Sequence, residues 1–238
     1  MNRILIQQHE LDDHNMVVIN DYRAKHIINV LNPKIGEKLK IGILNGNSGI
    51  GTVKAISNVE VNLHCEFDEQ TMQQSCTSLL LALPRPKILK RIIPQIVALG
   101  VEEIILTNAE KVEKNYFATH WLKDENYNKL IINGLEQSGD TMMPKIRIVK
   151  RLKPFIEDKL QEIYHEHNLL LAHPYNENKL SDICTSKKKL LAIGPEGGWS
   201  DFEIYMFQHT GFKPFTLGQR ILRSDTAVIA TLAMINNK

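Results

Sequence analysis

Two glycine-containing segments in the last third of the chain carry residue types that could build a ligand site. The first reads Ile-Gly-Pro-Glu-Gly-Gly over residues 193–198, and the second reads Leu-Gly-Gln-Arg-Ile-Leu-Arg over 217–223. In each, an apolar strand-like run ends in a turn, and a helical pattern begins just after it. Glycine lets the backbone approach a ligand closely or adopt a positive φ. Two such turns at the ends of two strands could form one cradle of backbone amide and carbonyl groups.

Three charged side chains stand inside these turns: Glu196 in the first, Arg220 and Arg223 in the second. An arginine near a helix N-terminus opposes the helix dipole, so we expect an anionic partner for the pair. RNA phosphate, a cofactor carboxylate and Glu196 are the candidates. The alternatives are a purely geometric role for the glycines and a solvated role for the arginines, because a single glycine-rich turn is weak evidence.

Together, the segments Ile-Gly-Pro-Glu-Gly-Gly and Leu-Gly-Gln-Arg-Ile-Leu-Arg-Ser-Asp-Thr-Ala (217–227) resemble the signature of the RsmE family. That family consists of 16S ribosomal RNA (uracil-N3)-methyltransferases of the SPOUT class. The resemblance implies S-adenosylmethionine as the cofactor and small-subunit ribosomal RNA as the partner. It also implies a homodimer, a parallel α/β sheet with a C-terminal trefoil knot, and a small N-terminal PUA-like β-barrel that binds RNA.

The resemblance further implies a cofactor pocket that both turns share with a third strand end at Leu171-Ala172-His173. Without this resemblance, His173 followed by a proline indicates only a strand that ends in a turn. The predicted cofactor-binding residues are Leu171, His173, Ile193, Gly194, Pro195, Glu196, Gly197, Gly198, Leu217, Gly218, Ile221, Leu222 and Thr226.

Glu196 and Arg223 are the predicted catalytic residues. Methyl transfer to uracil N3 requires an unpaired base, because N3 lies within the Watson–Crick face. The proton on N3 must also be removed or its loss stabilised. Glu196 could act as the base, or Arg223 could stabilise the oxyanion developing at a uracil carbonyl, and the sequence leaves this choice open.

Basic residues that follow the first buried strand of the second half are the best candidates for binding RNA phosphates. Further basic groups lie within 145–153 and at 187–189, and a solvated surface is the alternative for each group. The predicted RNA-binding residues are Arg85, Lys87, Lys90, Arg91 and Arg220.

The elements that must position these residues fall into two predicted domains. Residues 1–70 show short alternating strands, a turn-rich hairpin around 45–49 and one short helix from Asp21 to Val30, a pattern that suits a small barrel. A polar stretch at 69–77 is the predicted linker. From 76 to 238, strands and helices alternate, which predicts a parallel α/β sheet with helices on both faces.

Within this second domain, apolar runs at 79–83, 103–106, 145–149, 169–172, 190–193 and 215–217 predict the strands. Helical patterns cover 87–99, 116–137, 154–164, 201–210 and 225–235. Ser200 is the predicted cap of the fourth helix. Pro94 predicts a kink or a late start in the first.

Composition narrows the functional class. With a net charge of +2 over 238 residues, any RNA binding must come from local basic patches. The three cysteines are far apart, which predicts free thiols, a reducing compartment and no zinc site. No apolar run approaches the ~20 residues that span a bilayer, and the N-terminus turns polar too early for a signal peptide. The sequence therefore predicts a cytoplasmic protein without a metal or a membrane segment.

Several positions depart from the family pattern. The segment 136–140 ends in Asp140 where the family usually has a basic residue, Asn29 and Asn32 stand where it usually has arginines, and Ala98 replaces its usual glutamate. All of these fall on expected RNA contacts, whereas the cofactor motifs are intact. The alternatives are therefore a SPOUT-class methyltransferase of another ribosomal RNA position or of transfer RNA, or a non-catalytic RNA-binding ribosome-assembly factor.

Overall fold

The structure is a computed structural model that describes residues 2–68, 76–184 and 188–236. Its contacts divide the chain into two compact units, one of residues 1–73 with 132–143 and one of 74–131 with 144–238. The division into two domains, residues 1–70 and 76–238, stays a prediction. Residues 69–75 of the predicted linker and Lys187 of the lysine run lie outside the described residues.

The first unit contains a five-stranded sheet and one short helix. The strands are β1 (Ile4–Ile6), β2 (Met16–Ile19), β3 (Lys38–Ile43), β4 (Ser48–Ile56) and β5 (Val61–Phe67), and the helix is α1 (Tyr22–His26). Their order is β1-β3-β4-β5-β2, with β1 and β3 parallel and the other pairs antiparallel. Asp21 caps α1 by accepting a hydrogen bond from the backbone N–H of Arg23 at 2.9 Å, which confirms the predicted cap.

The core of this unit follows the alternation that the sequence predicted. In β5, Val61, Leu63 and Cys65 are buried, while Asn62 and His64 between them are partly exposed. The helix continues as a π-helical turn over Ile27–Leu31 and ends at Asn32, whose φ of 45° is left-handed. Asparagine tolerates that conformation better than most side chains do, which explains why the helix stops there.

The second unit is built on a six-stranded sheet in which every described pairing is parallel, with order β11-β9-β10-β6-β7-β8. This confirms the predicted α/β parallel sheet. Residues 132–138 of α3 cluster with the first unit. In chain order, the elements are β6 (Thr77–Ala82), α2 (Pro86–Ala98), β7 (Glu103–Thr107), α3 (Asp124–Ser138), β8 (Lys145–Val149), α4 (Leu152–Pro154), α5 (Leu160–Tyr164), β9 (Asn168–Ala172), α6 (Leu180–Ile183), β10 (Lys189–Ile193), α7 (Asp201–His209), β11 (Lys213–Phe215) and α8 (Ser224–Asn236).

Three local predictions differ from the structure. The helix α2 starts at Pro86 and includes Pro94, so the late start predicted from Pro94 is wrong. Proline at position 86 suits the first helical turn, where its missing N–H costs no hydrogen bond. Two short 3₁₀ turns, Lys114–Ala118 and His120–Leu122, replace the start of the predicted helix 116–137, since Thr119 between them has extended backbone. The last strand ends at Phe215, before a bend stabilised by Thr216.

Topology brings the predicted site together. Because all six strands are parallel, their carboxyl ends lie along one edge of the sheet. The chain leaves β10, forms α7 and crosses β9 to reach β11, so the segments that follow β9, β10 and β11 meet at that edge. The last helix, α8, then packs against α2 and β10.

Candidate active site

A cleft of about 470 Å³ opens at the carboxyl ends of β9, β10 and β11. Its walls are residues 172–175 after β9, 193–199 after β10, and 215–218 with 220–222 around the end of β11. Lys111 and the first turn of α8 complete it. The volume lies within the range of small-molecule sites, and the three strand ends are those that the sequence predicted to share a pocket.

The turn after β10 is shaped by its glycines and by Trp199. A Cβ on Gly194 would lie 3.2 Å from the backbone nitrogen and the indole ring of Trp199, which is tighter than ordinary contact. Trp199 is buried and packs edge-on against Phe207, with ring centroids 4.9 Å apart. Gly198 adopts a φ of +71° and donates a backbone hydrogen bond to Pro195. Gly194 and Gly198 are therefore required by packing and by backbone conformation, respectively.

The following helix fixes the far end of this turn. Ser200 caps α7 by accepting from the backbone N–H of Glu203, which confirms the predicted cap. The buried Glu203 carboxylate accepts from the backbone N–H of Ser200 at 2.8 Å, completing a capping box. Its other oxygen accepts from the backbone N–H of Glu110, also at 2.8 Å, so the loop after β7 is fastened to the same helix start.

The turn after β11 presents apolar side chains to the cleft. Gly218 has a φ of +118°, and its backbone N–H donates to the Thr216 hydroxyl at 3.2 Å. Ile221 and Leu222 line the cleft, and both are exposed. Exposed apolar side chains in the wall of a cleft are suited to an aromatic ligand such as a nucleobase.

Two of the thirteen predicted cofactor residues do not line the cleft. Leu171 is fully buried inside β9, because it lies one residue before the strand end. Thr226 is exposed on the first turn of α8 and is not one of the lining residues. The other eleven line the cleft.

The charged residues of the two turns are placed differently. Glu196 and Arg220 are exposed and line the cleft, whereas Arg223 is exposed outside the lining set, where its carbonyl accepts the first hydrogen bond of α8 from Ala227. Within the described residues, none of the three side chains forms an ion pair or a hydrogen bond. Glu196 therefore does not form an ion pair with Arg220 or Arg223 within the described residues.

His173 forms the wall after β9. Its backbone N–H donates to the carbonyl of Phe215 at 2.9 Å, and its ring stands edge-on to Tyr175 with centroids 5.8 Å apart. Burial lowers the pKa of His173, although the charge of Asp201 opposes that shift. The ring is therefore neutral at physiological pH and adds no positive charge to the cleft.

Lys111 is a cleft residue that sequence reasoning missed. Its Nζ donates to the carbonyl of Gly197 at 2.9 Å, and its Cδ lies 3.0 Å from where a Gly197 Cβ would be. The only signal in the sequence was its position in the loop after the buried strand β7. That loop follows a parallel strand, so its proximity to the turn after β10 depends on the strand order, which the sequence did not reveal.

The predicted RNA-binding residues of α2 do not line the cleft. Arg85, Lys87, Lys90 and Arg91 are exposed at or near the start of α2, which follows the carboxyl end of β6. Arg91 forms an ion pair with Asp225 of α8. The RNA-binding role of this group stays a prediction.

Within residues 2–68, 76–184 and 188–236, no cluster of three or more histidine, cysteine, aspartate or glutamate side chains is arranged to hold a metal ion. No helix in these ranges is both long and apolar enough to cross a membrane.

Comparison with known proteins adds to this geometry. A family model described as an RNA methyltransferase domain matches residues 72–236. The ribosomal RNA small subunit methyltransferase E of Treponema pallidum is 30% identical over 248 residues, covering 99% of this chain and 90% of that protein. Ribosomal RNA small subunit methyltransferase E 1 of Borreliella burgdorferi is 28% identical, covering 100% and 98%.

A solved structure has the same fold. The ribosomal RNA small subunit methyltransferase E of Neisseria gonorrhoeae, bound to S-adenosyl methionine, matches with a TM-score of 0.81 over 100% of this chain and 97% of that one. Its identity to this chain is 22%, so the match is evidence for the fold.

Proposed function

This chain belongs to the RNA methyltransferase family that includes ribosomal RNA small subunit methyltransferase E, and we propose that it transfers a methyl group from S-adenosylmethionine to N3 of one uridine in 16S ribosomal RNA. The observation that carries the proposal is the cleft. Two glycine turns and a third strand end form it, in a chain that aligns with relatives of that name over nearly its whole length.

The residues of the cleft fit this cofactor. Backbone groups of the turns at Gly194 and Gly218 line the cleft and suit the edge of an adenine, and the apolar side chains of Ile221 and Leu222 suit its face. A neutral His173 avoids repulsion of the positively charged sulfonium. Bound S-adenosylmethionine supplies an electrophilic methyl group, and the cleft residues hold it and position the base.

The chain's own chemical task is to handle the N3 proton. Glu196, exposed in the cleft without an internal partner, can accept that proton as the uracil nitrogen attacks. Arg220 in the lining and Arg223 beside it can stabilise negative charge on a uracil carbonyl or bind a flanking phosphate. We assign Glu196 and Arg223 the catalytic roles, and the kinetics of their variants distinguish a general base from an oxyanion stabiliser.

The proposal includes the finer architecture. We propose that residues 1–70 form a PUA-like barrel that binds RNA, and that 76–238 form a SPOUT methyltransferase domain with a C-terminal trefoil knot. The order β11-β9-β10 and the return of α8 to β10 support such a crossing of the chain end. The enzyme acts as a homodimer on the small ribosomal subunit, in keeping with the cytoplasmic location expected from the sequence.

A methylation assay tests the function directly. Small ribosomal subunits that lack the modification are incubated with the protein and S-adenosylmethionine, and reverse transcription of 16S RNA is then read for stops, because a methyl group on N3 blocks base pairing. One new stop at a uridine is the expected result, and it must vanish when the cofactor is omitted. A stop in another ribosomal RNA or in transfer RNA would shift the target within the family. Cofactor binding without methylation of any RNA would favour an assembly factor.

A further inference from the structure

A cationic and aromatic surface follows the carboxyl ends of β6 and β7, on the same edge of the sheet as the cleft. It consists of Arg85, Lys87 and Lys90 from the start of α2 and of Tyr116, His120 and Trp121 from the two 3₁₀ turns. We call it the cation–aromatic surface. The helix α2 follows the carboxyl end of β6, and the 3₁₀ turns follow that of β7. Since β6 pairs directly with β10, this surface neighbours the strand ends that form the cleft.

The cations of this surface have no acidic partner. Within residues 76–184 and 188–236, none of Arg85, Lys87 and Lys90 forms an ion pair, and all three are exposed. The ammonium of Lys90 instead lies 4.9 Å from the centroid of the Trp121 ring. Arg91, one residue further, is different, because Asp225 already engages it.

The aromatic rings are held in place by local hydrogen bonds. Trp121 donates its backbone N–H to the Thr119 hydroxyl, and the carbonyl of His120 accepts from the Asn126 side chain at 2.9 Å. The two rings lie 4.4 Å apart at an interplanar angle of 42°. His120 is exposed and Trp121 is half-buried, so part of this aromatic pair faces solvent.

Tyr116 connects the aromatic residues to the cations. Its hydroxyl donates a hydrogen bond to the Glu113 carboxylate at 2.9 Å, so this carboxylate already has a partner in the loop. Burial and that hydrogen bond raise the pKa of Tyr116, and the neighbouring Arg85 guanidinium opposes the shift.

Partly exposed aromatic rings beside cations that lack an acidic partner match one class of ligand. Single-stranded nucleic acids bind where bases stack on aromatic side chains while lysine and arginine contact the phosphates. A double helix offers no free base faces for stacking. The chemistry of this surface therefore favours unpaired RNA.

We infer that the cation–aromatic surface binds the unpaired nucleotides flanking the target uridine, with a base stacked on the His120–Trp121 pair and the phosphates held by Arg85, Lys87 and Lys90. This inference rests on the proposed function. It gives the enzyme a way to hold a splayed target base open, because the neighbouring nucleotides are bound in single-stranded form beside the cofactor cleft.

Intrinsic fluorescence tests the contact. The chain has two tryptophans, Trp121 and Trp199. In a Trp199→Phe variant, which retains a ring against Phe207 and loses an indole N–H that has no partner among the described residues, Trp121 is the sole reporter. Titration with a short, unpaired RNA oligonucleotide should quench this fluorescence saturably, and higher salt should weaken the binding.

Variants of the surface test its contribution. Trp121→Leu should raise the Kd for the oligonucleotide about tenfold, the typical effect of losing one stacked base, and should raise the KM for ribosomal subunits while leaving cofactor affinity unchanged. Tyr205→Leu is the matched control, because Tyr205 is an exposed ring stacked on His209 of α7. Should Trp121→Leu fail to fold, His120→Ala and Lys87→Gln, both at exposed positions, provide the same comparison.

The outcomes separate this inference from the proposed function. Wild-type methylation together with unchanged RNA affinity in the surface variants, or with no quenching of Trp121, would overturn the inference and leave the function intact. If Trp121→Leu loses cofactor affinity and thermal stability along with RNA binding, Trp121 has a structural role and the inference is overturned for this residue. Failure of the wild-type protein to methylate any RNA would remove the proposed function, while the oligonucleotide titration would still decide whether the surface binds RNA.

Discussion

The charged residues of the first unit and those of the cleft differ in what they contact. In the first unit, Arg23 is buried and donates to Glu10, to Asp21 and to the backbone carbonyl of Leu5. Around the cleft, Glu196 and Arg220 are exposed and have no partner among the described residues. Charges that the protein satisfies internally maintain structure, whereas charges left unsatisfied at a cleft are available to a ligand.

This contrast predicts that matched arginine substitutions will act on different properties. Arg23→Met should lower the free energy of unfolding by about 2–3 kcal/mol, because it removes charge-assisted hydrogen bonds to two carboxylates and the bond to the Leu5 carbonyl. The Arg23 side chain is only 10% exposed, whereas those of Glu10 and Asp21 are 21% and 41% exposed, so water solvates part of what the substitution leaves unpaired. Arg220→Met should change stability by less than about 0.5 kcal/mol. Denaturant unfolding of both variants checks the comparison, and equal losses would contradict it.

The second prediction concerns an unsatisfied charge of the cleft. Glu196→Gln should lower kcat about 100-fold if Glu196 accepts the N3 proton, since general-base catalysis typically contributes that much. Stability should remain close to wild type, because the Glu196 side chain makes no internal contact among the described residues. Arg223→Met is the parallel variant. A larger kcat loss there, with Glu196→Gln near wild type, would favour stabilisation of the oxyanion over base catalysis.

The third prediction concerns pH and a carboxyl group of the first unit. Burial raises the pKa of Glu136 to about 7, despite a hydrogen bond from the Tyr22 hydroxyl at 3.3 Å. The folded protein thus holds a proton that the unfolded chain releases near pH 4.5, so the contribution to stability is present in acid and is lost as pH rises through 7. The shift from 4.5 to about 7 corresponds to roughly 3–4 kcal/mol. Unfolding measured from pH 5 to 8 should show this slope, and Glu136→Gln should flatten it. A cleft variant such as Glu196→Gln should leave it unchanged.

The sequence predicted the alternating core of β5, the buried parallel strands and the caps at Asp21 and Ser200, because these depend on local periodicity and capping chemistry. It predicted most of the cleft for the same reason, since each glycine turn directly follows an apolar strand. It could not predict Lys111, whose approach to Gly197 depends on β7 lying two strands from β10. Nor could it show that Gly194, rather than Gly197, is the glycine packed against buried backbone.

The smallest expected effect belongs to Lys111. This residue lies in the cleft wall, like Glu196 and Arg220, but its ammonium donates a hydrogen bond to a backbone carbonyl of the protein, as Arg23 does. Lys111→Met retains the aliphatic stem over Gly197 but removes the hydrogen bond that steadies the turn. Because Lys111 is exposed, we expect a loss near the lower end for such bonds, about 1 kcal/mol, seen as a roughly fivefold rise in the Kd for S-adenosylmethionine. Lys111→Arg should restore most of the affinity, because it can still donate to the Gly197 carbonyl. A lower kcat with an unchanged Kd in Lys111→Met would instead mean that this ammonium acts on the RNA, and Lys111 would then belong with the unsatisfied charges of the cleft.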